Sequence, residues 1–482
     1  MERIQQWQHW EQIAESMIPI IGKLYRQRSI VTVVYDQRLV HTSSIEIIKA
    51  FRLVERNFNV QLDIEDAYHI LLALEESSYS NMIRFDVGKA SLLLREFPSE
   101  KYKEKLLESL HESIPKVVKS KATDVVLYGF GRIGRLLTRA LIDRVGNTRK
   151  LLLRAVVVRK PAKPDLYKRA SLLEMDSVHG HFEGEITVDE AENQIIANGV
   201  PIRFLYSDGP GTLDFTKYGI NGAILIDNTG KWRDRAGLGK HLESPGISKV
   251  VLTAPGRGDI PNIVNGVNND MCEKDETIVS AASCTTNAIV PVLSLIEKKF
   301  GIVSGHVETV HSFTNDQNLI DNYHPSARRG RSAALNMVIT ETGAGAAIGK
   351  CIPSLHGKLS ANAIRVPTPN VSLAILSLTV PVVTTVEEVN SFLQTSAASG
   401  HLHQQLDYAN SEEAVSSDFI GNCHCSIIDA PSTIVATHTD SSRVNIYVWY
   451  DNEFGYSLQV VRLCQKLAKI KHIQFPPSTV QV

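Results

Sequence analysis

The sequence lacks the features that mark several protein classes. Its 482 residues contain no run of about 18 apolar residues, so we expect no transmembrane helix. The opening stretch MERIQQWQHWEQ has no apolar core of a secretory signal. Six cysteines are too few for a disulfide framework, which fits the reducing cytosol. The net charge of −1 predicts no bulk attraction to nucleic acid or membrane. We therefore expect a cytoplasmic protein without either partner.

Metal-ligand spacing is also missing. No CxxC pair occurs, and the nearest pattern is CHC at residues 423–425. A strand whose side chains alternate between two faces explains that pattern better than a metal site does. We expect no bound metal.

Glycine is scarce in residues 1–121, where only Gly22 and Gly88 occur. Apolar residues there recur at three- and four-residue spacing, in runs such as SSIEIIKAFRLVERNF. Ser43, Ser44 and Asp63 precede such runs as candidate N-caps. The pattern predicts an all-helical N-terminal domain, followed by a charged connector helix over residues 99–124. The lysines of that connector are more typical of a solvated helix face than of a binding site.

A nucleotide-binding pattern begins the second part of the chain. The apolar run from Val125 to Tyr128 leads into GFGRIG and then into a predicted helix, which is the context that a GxGxxG fingerprint requires. The glycines permit the turn, a close approach of pyrophosphate and close packing of helix on strand, while the helix start supplies unpaired N–H groups. A bare glycine turn is the alternative. The candidate cofactor-binding residues here are Gly129, Phe130, Gly131, Arg132, Ile133 and Gly134.

Arg159 and Lys160 follow the second predicted strand, LLLRAVVV. A site selective for NAD normally has an acidic residue here, bonded to the ribose hydroxyls. A guanidinium or ammonium group can instead pair with a 2′-phosphate. The sequence therefore favours NADP over NAD, although these two side chains can also be ordinary loop charges.

A candidate nucleophile follows a later strand, in the stretch SAASCTTNAI. Cys284 lies between the predicted strand ETIVSAAS and a predicted helix, where parallel sheets place their ligand sites. The helix start should lower the pKa of the thiol. Such a thiol needs a base, usually a histidine distant in sequence. His311, at the end of an apolar run, is the best placed, while His306 and His324 stay open on pattern alone.

Five motifs together resemble the phosphorylating glyceraldehyde-3-phosphate dehydrogenase family. They are GFGRIGR, SAASCTTNAIVPVL, TVHSFTNDQN, RVPTPNVS and WYDNEFGYS, in the order of that family. The resemblance covers residues from about 122 to 470 and leaves residues 1–121 as an extension. It implies a Rossmann dinucleotide-binding domain over 122–283, an α+β catalytic domain over 284–450 and a C-terminal helix within 451–482 that returns to the cofactor domain. We expect the tail QFPPSTVQV to be irregular.

The resemblance also implies a role for individual residues. Cys284 is the implied nucleophile and His311, 27 residues later, the implied base. Ser283, Thr285, Thr342 and Gly343 correspond to the site for inorganic phosphate, and Thr314 and Arg365 to that for the phosphate of the substrate. Asn452 and Tyr456 correspond to residues beside the nicotinamide, with Thr253 on the same side, and Arg132 and Ile133 to backbone donors for the pyrophosphate. Without the resemblance, a helix cap, core packing or a structural ion pair would explain most of these.

The implied activity is the reversible oxidation of glyceraldehyde 3-phosphate with phosphate and NAD or NADP, through a thiohemiacetal and a thioester on Cys284. A preference for NADP would suit the reducing, gluconeogenic direction. The family further implies a homotetramer in which the loop at residues 321–336 packs against a neighbouring subunit and its cofactor. Its arginines, Arg328, Arg329 and Arg331, can assist an anionic cofactor across that interface or can be solvated charges.

Two alternatives remain. One is erythrose-4-phosphate dehydrogenase, which shares this scaffold. The other is a regulatory or binding protein in which the extension supplies the function. We expect the extension to serve in assembly or in binding a partner.

Overall fold

The computed structural model describes residues 2–77, 79–114, 121–143, 150–272, 276–470 and 473–477. The chain folds around three main sheets, one in the N-terminal extension, one in the dinucleotide-binding domain and one in the catalytic domain. This arrangement confirms the α/β class predicted from the sequence. No helix in these ranges is long and apolar enough to cross a lipid bilayer.

Helices make up most of the extension. The side chain of Ser43 accepts the N–H of Glu46, and the Glu46 carboxylate accepts the N–H of Ser43, so the two form a capping box. Asp63 caps the next helix by accepting the N–H of Glu65. Two of the three predicted caps are thus confirmed, whereas Ser44 is the first residue of its helix. The helices are α1 (Glu2–Arg28), α2 (Ser44–Phe58), α3 (Ile64–Glu76), α4 (Val87–Leu94) and α5 (Tyr102–Ser113). Residues 115–120 of the predicted connector helix lie outside the described residues.

The extension also contains a small sheet, so the prediction of an all-helical domain is incomplete. Its strands are β1 (Ile30–Val34), β2 (Gln37–Arg38) and β3 (Ile83–Asp86). The sequence of β1, IVTVV, is a run of β-branched residues with a strong preference for strands. It pairs in parallel with β3, with Ile30 opposite Ile83. These strands form by pairing with residues some fifty positions away in the chain. The helical periodicity of the flanking sequence therefore gives no sign of them.

The dinucleotide-binding domain is built on an eight-stranded sheet in the order β13-β12-β11-β4-β5-β10-β9-β8. The first six of these strands are parallel and end at one edge. Their apolar residues are buried, as expected of a parallel sheet covered on both faces. The elements are β4 (Thr123–Tyr128), α6 (Arg132–Asp143), β5 (Leu151–Val158), α7 (Leu166–Glu174), β6 (Met175–Asp176), β7 (Gly180–His181), β8 (Ile186–Asp189), β9 (Gln194–Ala197), β10 (Val200–Tyr206), β11 (Ala223–Asp227), α8 (Arg235–Gly239), β12 (Ile247–Leu252) and β13 (Ile278–Ser280).

The catalytic domain has a seven-stranded mixed sheet in the order β15-β16-β14-β17-β20-β19-β18. Buried and half-buried residues alternate strictly along β17, which shows that one face of the sheet covers a core. Helix α9 packs on that core and leads from the first domain into the second. The elements are α9 (Cys284–Lys299), β14 (Ser304–Ser312), β15 (Val338–Thr340), α10 (Ala344–Cys351), β16 (Leu359–Val366), β17 (Ser372–Val380), α11 (Val386–Ser399), β18 (Leu406–Ala409), β19 (Ser426–Thr437) and β20 (Ser442–Tyr450).

The chain then returns to the first domain and ends in the extension. Helix α12 (Phe454–Leu467) packs against α6, with Leu463 and Cys464 fully buried. Strand β21 (Ile473–Phe475) pairs in parallel with β3 and completes the sheet of the extension. The tail predicted to be irregular is therefore a strand through Phe475, and residues 478–482 lie outside the described residues. Phe475 stacks on Phe85 with ring centroids 5.5 Å apart.

The extension also contacts the catalytic domain directly. Gln394 on α11 donates its amide N–H to the backbone oxygen of Asn57 at 2.7 Å. The ring of Phe58 lies 6.4 Å from that of Tyr408 on β18. The extension is thus held both by the catalytic domain and by the C-terminal strand.

Replacing Phe475 by alanine should destabilise the extension. The side chain is fully buried in the core of the extension, so its loss leaves a cavity worth about 3–5 kcal/mol of unfolding free energy. Thermal and denaturant unfolding, combined with limited proteolysis of residues 1–121, measure the effect. The control is Tyr167→Ala, at an exposed aromatic residue, which should change stability by less than about 0.5 kcal/mol. Equal stability of the two variants would contradict the role of β21.

Candidate active site

Cys284 is the first residue of α9 and follows the end of β13. Ser283 caps the helix, since its hydroxyl accepts the N–H of Thr286 at 3.0 Å. The side-chain amide of Asn287 also stabilises this loop by donating to the backbone oxygen of Ser283 at 2.9 Å. Ala282 has a left-handed backbone with φ of +56°, which a residue with a side chain rarely adopts. The hydrogen bonds of Ser283 and Asn287 stabilise this strained backbone, and the loop conformation in turn fixes the direction of the Cys284 thiol.

His311 faces the thiol from the end of β14. Its Nε2 lies 3.6 Å from the Sγ of Cys284, within reach of a weak sulfur hydrogen bond. Its Nδ1 lies 2.7 Å from the backbone oxygen of Ser312 and 2.9 Å from Nη1 of Arg365. Arg365 also donates to the oxygen of Ser312 at 3.0 Å. The structure therefore brings Cys284, His311 and Arg365 together.

The Nδ1 of His311 cannot make both contacts in one protonation state. If it donates to Ser312, Nε2 carries no proton and can accept one from the thiol. If it accepts from Arg365, Nε2 carries the proton and can donate it. The two contacts therefore belong to the two neutral tautomers of the imidazole, and only the tautomer that donates from Nδ1 to Ser312 leaves Nε2 able to accept the thiol proton.

Burial disfavours a lone charge on either partner. It raises the pKa of the Cys284 thiol, a rise that Arg365 and the N–H groups at the start of α9 oppose. This is the reverse of the lowering that the helix start alone predicts, because desolvation is the larger effect. Burial and the neighbouring Arg365 lower the pKa of His311 to about 3. Proton transfer from Cys284 to His311 is less costly than forming either ion alone, since a thiolate and an imidazolium at this separation stabilise each other.

A tyrosine that the sequence analysis does not single out supports the pair. The hydroxyl of Tyr450, at the end of β20, lies 3.1 Å from the hydroxyl of Thr285 and 2.7 Å from that of Thr309. Its ring stands edge-on to the His311 ring, with centroids 6.0 Å apart. The motif WYDNEFGYS contains Tyr450, but nothing in its spacing distinguishes this residue from core.

The four residues predicted to bind inorganic phosphate differ in their hydrogen-bond partners. The hydroxyls of Ser283 and Thr285 are engaged by Thr286 and Tyr450. Thr342 accepts the N–H of Ala344 at 3.2 Å, and exposed Gly343 precedes α10, which packs against α9. No hydrogen bond among the described residues joins Thr342 or Gly343 to Cys284, His311 or Arg365.

The two residues predicted for the phosphate of the substrate, Arg365 and Thr314, differ in their contacts, since Arg365 touches His311. Thr314 is half-buried, two residues past the end of β14, and its backbone oxygen accepts the N–H of Gln317 at 2.9 Å. The Nε of Arg365 is buried without a hydrogen-bond partner among the described residues. A guanidinium donor left over beside the nucleophile suits an anionic group of a substrate.

The glycine loop after β4 has the geometry that the fingerprint requires. Gly129 has φ of +104°, which favours glycine. A Cβ on Gly134 would lie 2.6 Å from the backbone oxygen of Gly129, so helix and strand pack too closely for any other residue. A Cβ on Gly131 would meet nothing within 4 Å, because this position faces open space. Phe130 is buried against Phe204, with centroids 5.1 Å apart.

A cavity of about 880 Å³ lies at this edge of the sheet, large enough for a cofactor. Gly129, Gly131, Arg159 and Lys160 line it, and both basic side chains are exposed. Asp208 lines it as well. The Gly131 cradle, the helix start behind it and the cavity fit a nicotinamide dinucleotide.

The side chain of Arg132 is directed elsewhere. It forms ion pairs with Asp176 at 3.0 Å and with Glu453, just before α12, at 2.5 Å. Only its backbone, and that of half-buried Ile133, is left for a phosphate at the start of α6. This agrees with the backbone role that the resemblance implies.

Asn452 is oriented by two hydroxyls. Its Oδ1 accepts hydrogen bonds from Ser312 and from Ser372, each at 2.8 Å. Its amide nitrogen donates to no described residue. The two hydroxyls therefore fix the orientation of the amide and leave its N–H groups available to a ligand. Sequence reasoning missed both serines, although VHS and NVS stand within the quoted motifs.

Two further residues were predicted on the nicotinamide side, Tyr456 and Thr253. Tyr456 is buried and donates its hydroxyl to the backbone oxygen of Ala282 at 3.0 Å, which ties α12 to the loop before Cys284. Thr253 is half-buried, and its backbone and side chain both donate to the oxygen of Asp227. The CHC segment does not lie in a strand, contrary to the expectation from the sequence. It immediately precedes β19, and the thiol of buried Cys425 donates to the backbone oxygen of Asn287 at 3.1 Å.

Substituting the two glycines by alanine should separate cofactor binding from folding. Gly131→Ala should leave the melting temperature unchanged and weaken nucleotide binding, because its methyl group enters the space for the ligand. Gly134→Ala should lower stability by roughly 1–3 kcal/mol through the clash with Gly129. Calorimetric titration with NAD and NADP and thermal unfolding measure the two effects. Undiminished nucleotide binding by Gly131→Ala would show that the cofactor does not bind at this loop.

Comparison with known proteins agrees with this geometry. Residues 123–235 match the model of the glyceraldehyde 3-phosphate dehydrogenase NAD binding domain, and residues 283–452 match that of the C-terminal domain. The chain is 41% identical to glyceraldehyde-3-phosphate dehydrogenase 1 of Bacillus subtilis (strain 168), over 72% of this chain and 99% of that protein.

A second relative also shares the extension. The chain is 50% identical to a glyceraldehyde-3-phosphate dehydrogenase-like protein of Pseudomonas aeruginosa (strain UCBPP-PA14), over 95% of this chain and 100% of that protein. Coverage of 95% includes most of residues 1–121, whereas the Bacillus alignment covers only 72% of the chain. The chain belongs to the glyceraldehyde-3-phosphate dehydrogenase family.

Proposed function

We propose that this chain catalyses the reversible phosphorylating oxidation of glyceraldehyde 3-phosphate, with NADP preferred over NAD. The observation that carries the proposal is the Cys284–His311 pair at 3.6 Å, with Arg365 beside it and the glycine cradle on the neighbouring sheet edge. A nucleophile, a base, an anion-binding guanidinium and a cofactor cavity are the parts that this reaction needs.

The first step forms a bond between the Sγ of Cys284 and the aldehyde carbon. His311 accepts the thiol proton at Nε2, and its Nδ1–H donates to the backbone oxygen of Ser312. The imidazolium then donates a hydrogen bond to the oxyanion of the thiohemiacetal. Arg365, with its unused Nε, holds the phosphate of the substrate.

The second step leaves a thioester on Cys284, and a bound nicotinamide supplies the hydride acceptor. Asn452, oriented by Ser312 and Ser372, presents its N–H groups to the carboxamide of that ring. Inorganic phosphate attacks the thioester carbon, the C–S bond breaks, the released thiolate of Cys284 takes its proton back from His311, and the acyl phosphate departs. We assign Ser283, Thr285, Thr342 and Gly343 to the phosphate.

The preference for NADP rests on Arg159 and Lys160. Both are exposed at the end of β5 and line the cofactor cavity, at the position where an acidic residue would select NAD. Their positive charge suits a 2′-phosphate. We further propose that the enzyme works in the reductive, gluconeogenic direction in the cytoplasm.

Self-association is part of the same proposal. The segment from 319 to 337 exposes large apolar side chains, with Tyr323 at 87% and Leu335 at 82% exposed. Such a patch is typical of a subunit interface. We propose that this loop joins subunits of a homotetramer.

Loss of the nucleophile should abolish turnover. Cys284→Ala should reduce kcat by at least about 10³-fold, and His311→Asn by about 10²–10⁴-fold, since the one forms the covalent intermediate and the other moves its proton. The assay is reduction of the cofactor with glyceraldehyde 3-phosphate and phosphate, run beside erythrose 4-phosphate. Cys423→Ala, at a half-buried thiol outside the pair, should keep wild-type turnover. Turnover by Cys284→Ala would disprove the mechanism.

Cofactor choice should depend on Arg159 and Lys160. Replacing either by alanine should lower kcat/KM for NADP roughly 10-fold or more, the loss expected for one charge-assisted hydrogen bond, with a smaller effect on NAD. Lys163→Ala, an exposed charge in the same loop that does not line the cavity, is the matched control. A wild-type enzyme that strongly prefers NAD, or variants indistinguishable from Lys163→Ala, would refute the NADP assignment.

A further inference from the structure

A guanidinium group from α7 reaches the cofactor cavity. Arg169 is the fourth residue of that helix, and its side chain lines the cavity together with Arg159 and Lys160 from the end of β5. Those two side chains are exposed, whereas the side chain of Arg169 is only 19% exposed. Its position in the sequence gives no signal, since a basic residue in a short helix is usually part of a solvated face.

One carboxylate holds this guanidinium in place. Asp165, four residues earlier, lies with its Oδ2 2.5 Å from Nη2 of Arg169. The other oxygen, Oδ1, accepts a hydrogen bond from the hydroxyl of Tyr206 at 3.4 Å. Asp165 immediately precedes α7, but its side chain makes no capping hydrogen bond. The carboxylate is therefore engaged by Arg169 and Tyr206 and not by the start of the helix.

The strand register places this ion pair beside the end of β5. Tyr206 is the last residue of β10, and in the parallel pairing of the two strands it lies opposite Val158, the last residue of β5. Arg159 and Lys160 follow Val158 directly. The ion pair is thus anchored next to the strand end from which these two basic side chains enter the cavity.

The ion pair leaves part of the Arg169 guanidinium unused. Its Nε is buried without a hydrogen-bond partner among the described residues, which is an unfavourable state for a donor. Even with the ion pair counted as neutral, the described lining favours an anionic ligand. Three exposed basic side chains line the cavity against one exposed carboxylate, namely Arg159, Lys160 and Lys231 against Asp208.

We propose that Arg169 binds the 2′-phosphate of NADP and is a specificity-determining residue for the cofactor. The inference rests on the preference for NADP proposed above and adds a residue to it. A guanidinium can donate paired hydrogen bonds to phosphate oxygens. Because Asp165 already fixes the side chain, Arg169 loses little conformational entropy on binding, whereas exposed side chains must first be ordered. Arg169 is therefore the preformed part of the phosphate site.

The same ion pair also removes an obstacle to the phosphate. Asp165 is the first acidic residue after β5, and a free carboxylate there would repel a dianion. Engaged by Arg169 and Tyr206, it does not line the cavity. Arg169 therefore has two ways to favour the phosphate, by direct contact and by neutralising Asp165. The proposal requires the contact.

The test uses two nucleotides that differ only in the 2′-phosphate, AMP and adenosine 2′,5′-bisphosphate. Calorimetric titration of the full chain, at an ionic strength matched with chloride, compares the wild type with Arg169→Gln. The variant should bind the bisphosphate at least about 10-fold more weakly, the loss expected for one charge-assisted hydrogen bond, with little change in its affinity for AMP. The ratio of kcat/KM for NADP to that for NAD should fall by a similar factor. Lys168→Gln, at the exposed preceding position of α7 and outside the cavity lining, is the matched control and should bind as the wild type does.

The double variant Asp165→Asn/Arg169→Gln covers a failure of Arg169→Gln to fold and separates contact from neutralisation. It leaves no carboxylate at position 165 without a partner, and thermal unfolding checks that it is folded. The loss of affinity for the bisphosphate should persist in it, because the contact with the phosphate is still missing. Recovery of wild-type affinity by the double variant, or equal binding by Arg169→Gln and Lys168→Gln, would overturn the role of Arg169 alone. A wild-type chain that binds the bisphosphate no more tightly than AMP would instead refute the preference for NADP, and the contact with it.

Discussion

The contact between a thiol and an imidazole from two different sheets is the constraint on which the site depends. Cys284 follows a strand of the dinucleotide-binding domain, and His311 ends a strand of the catalytic domain. Their 3.6 Å separation therefore fixes the relative position of the two sheets. Helix α9 makes this possible, because it starts at the nucleophile and then runs through the core of the catalytic domain. The edge of the sheet that carries the glycine loop and the catalytic pair are therefore joined through the same helix.

Burial gives this pair its chemical character. A solvated thiol and imidazole would each titrate near their usual pKa values and would lose most of their mutual attraction to water. Here burial raises the pKa of Cys284 and lowers that of His311, so neither group holds a charge alone. The charges arise together and lie beside Arg365. The same dry surroundings that oppose the lone ions strengthen each contact to an oxyanion.

The candidate nucleophile and base could be predicted from short motifs, whereas the residues that hold them in position could not. Cys284 and His311 are identified by residues within a few positions of each. Tyr450 reaches Thr285 and Thr309 across 165 and 141 residues, so no local pattern reveals it. The extension shows the same limit. Ser43 and Asp63 were predicted as caps because a cap depends on three or four residues. Strand β21 depends on β3, almost four hundred residues earlier, and a three-residue strand before two prolines looks like an irregular tail.

Helix α12 connects the catalytic machinery to the extension. Its 14 residues span about 21 Å. Near its first turn Tyr456 holds the loop before Cys284, and Asn452 lies immediately ahead of it. Farther along, Arg462 and Gln465 face the extension, and the strand that follows the helix enters the sheet of the extension. Because a packed helix moves as a rigid body, a shift of the extension displaces both ends of α12 together. Residues 1–121 are therefore connected, through α12 and β21, to the helix that holds the loop before Cys284.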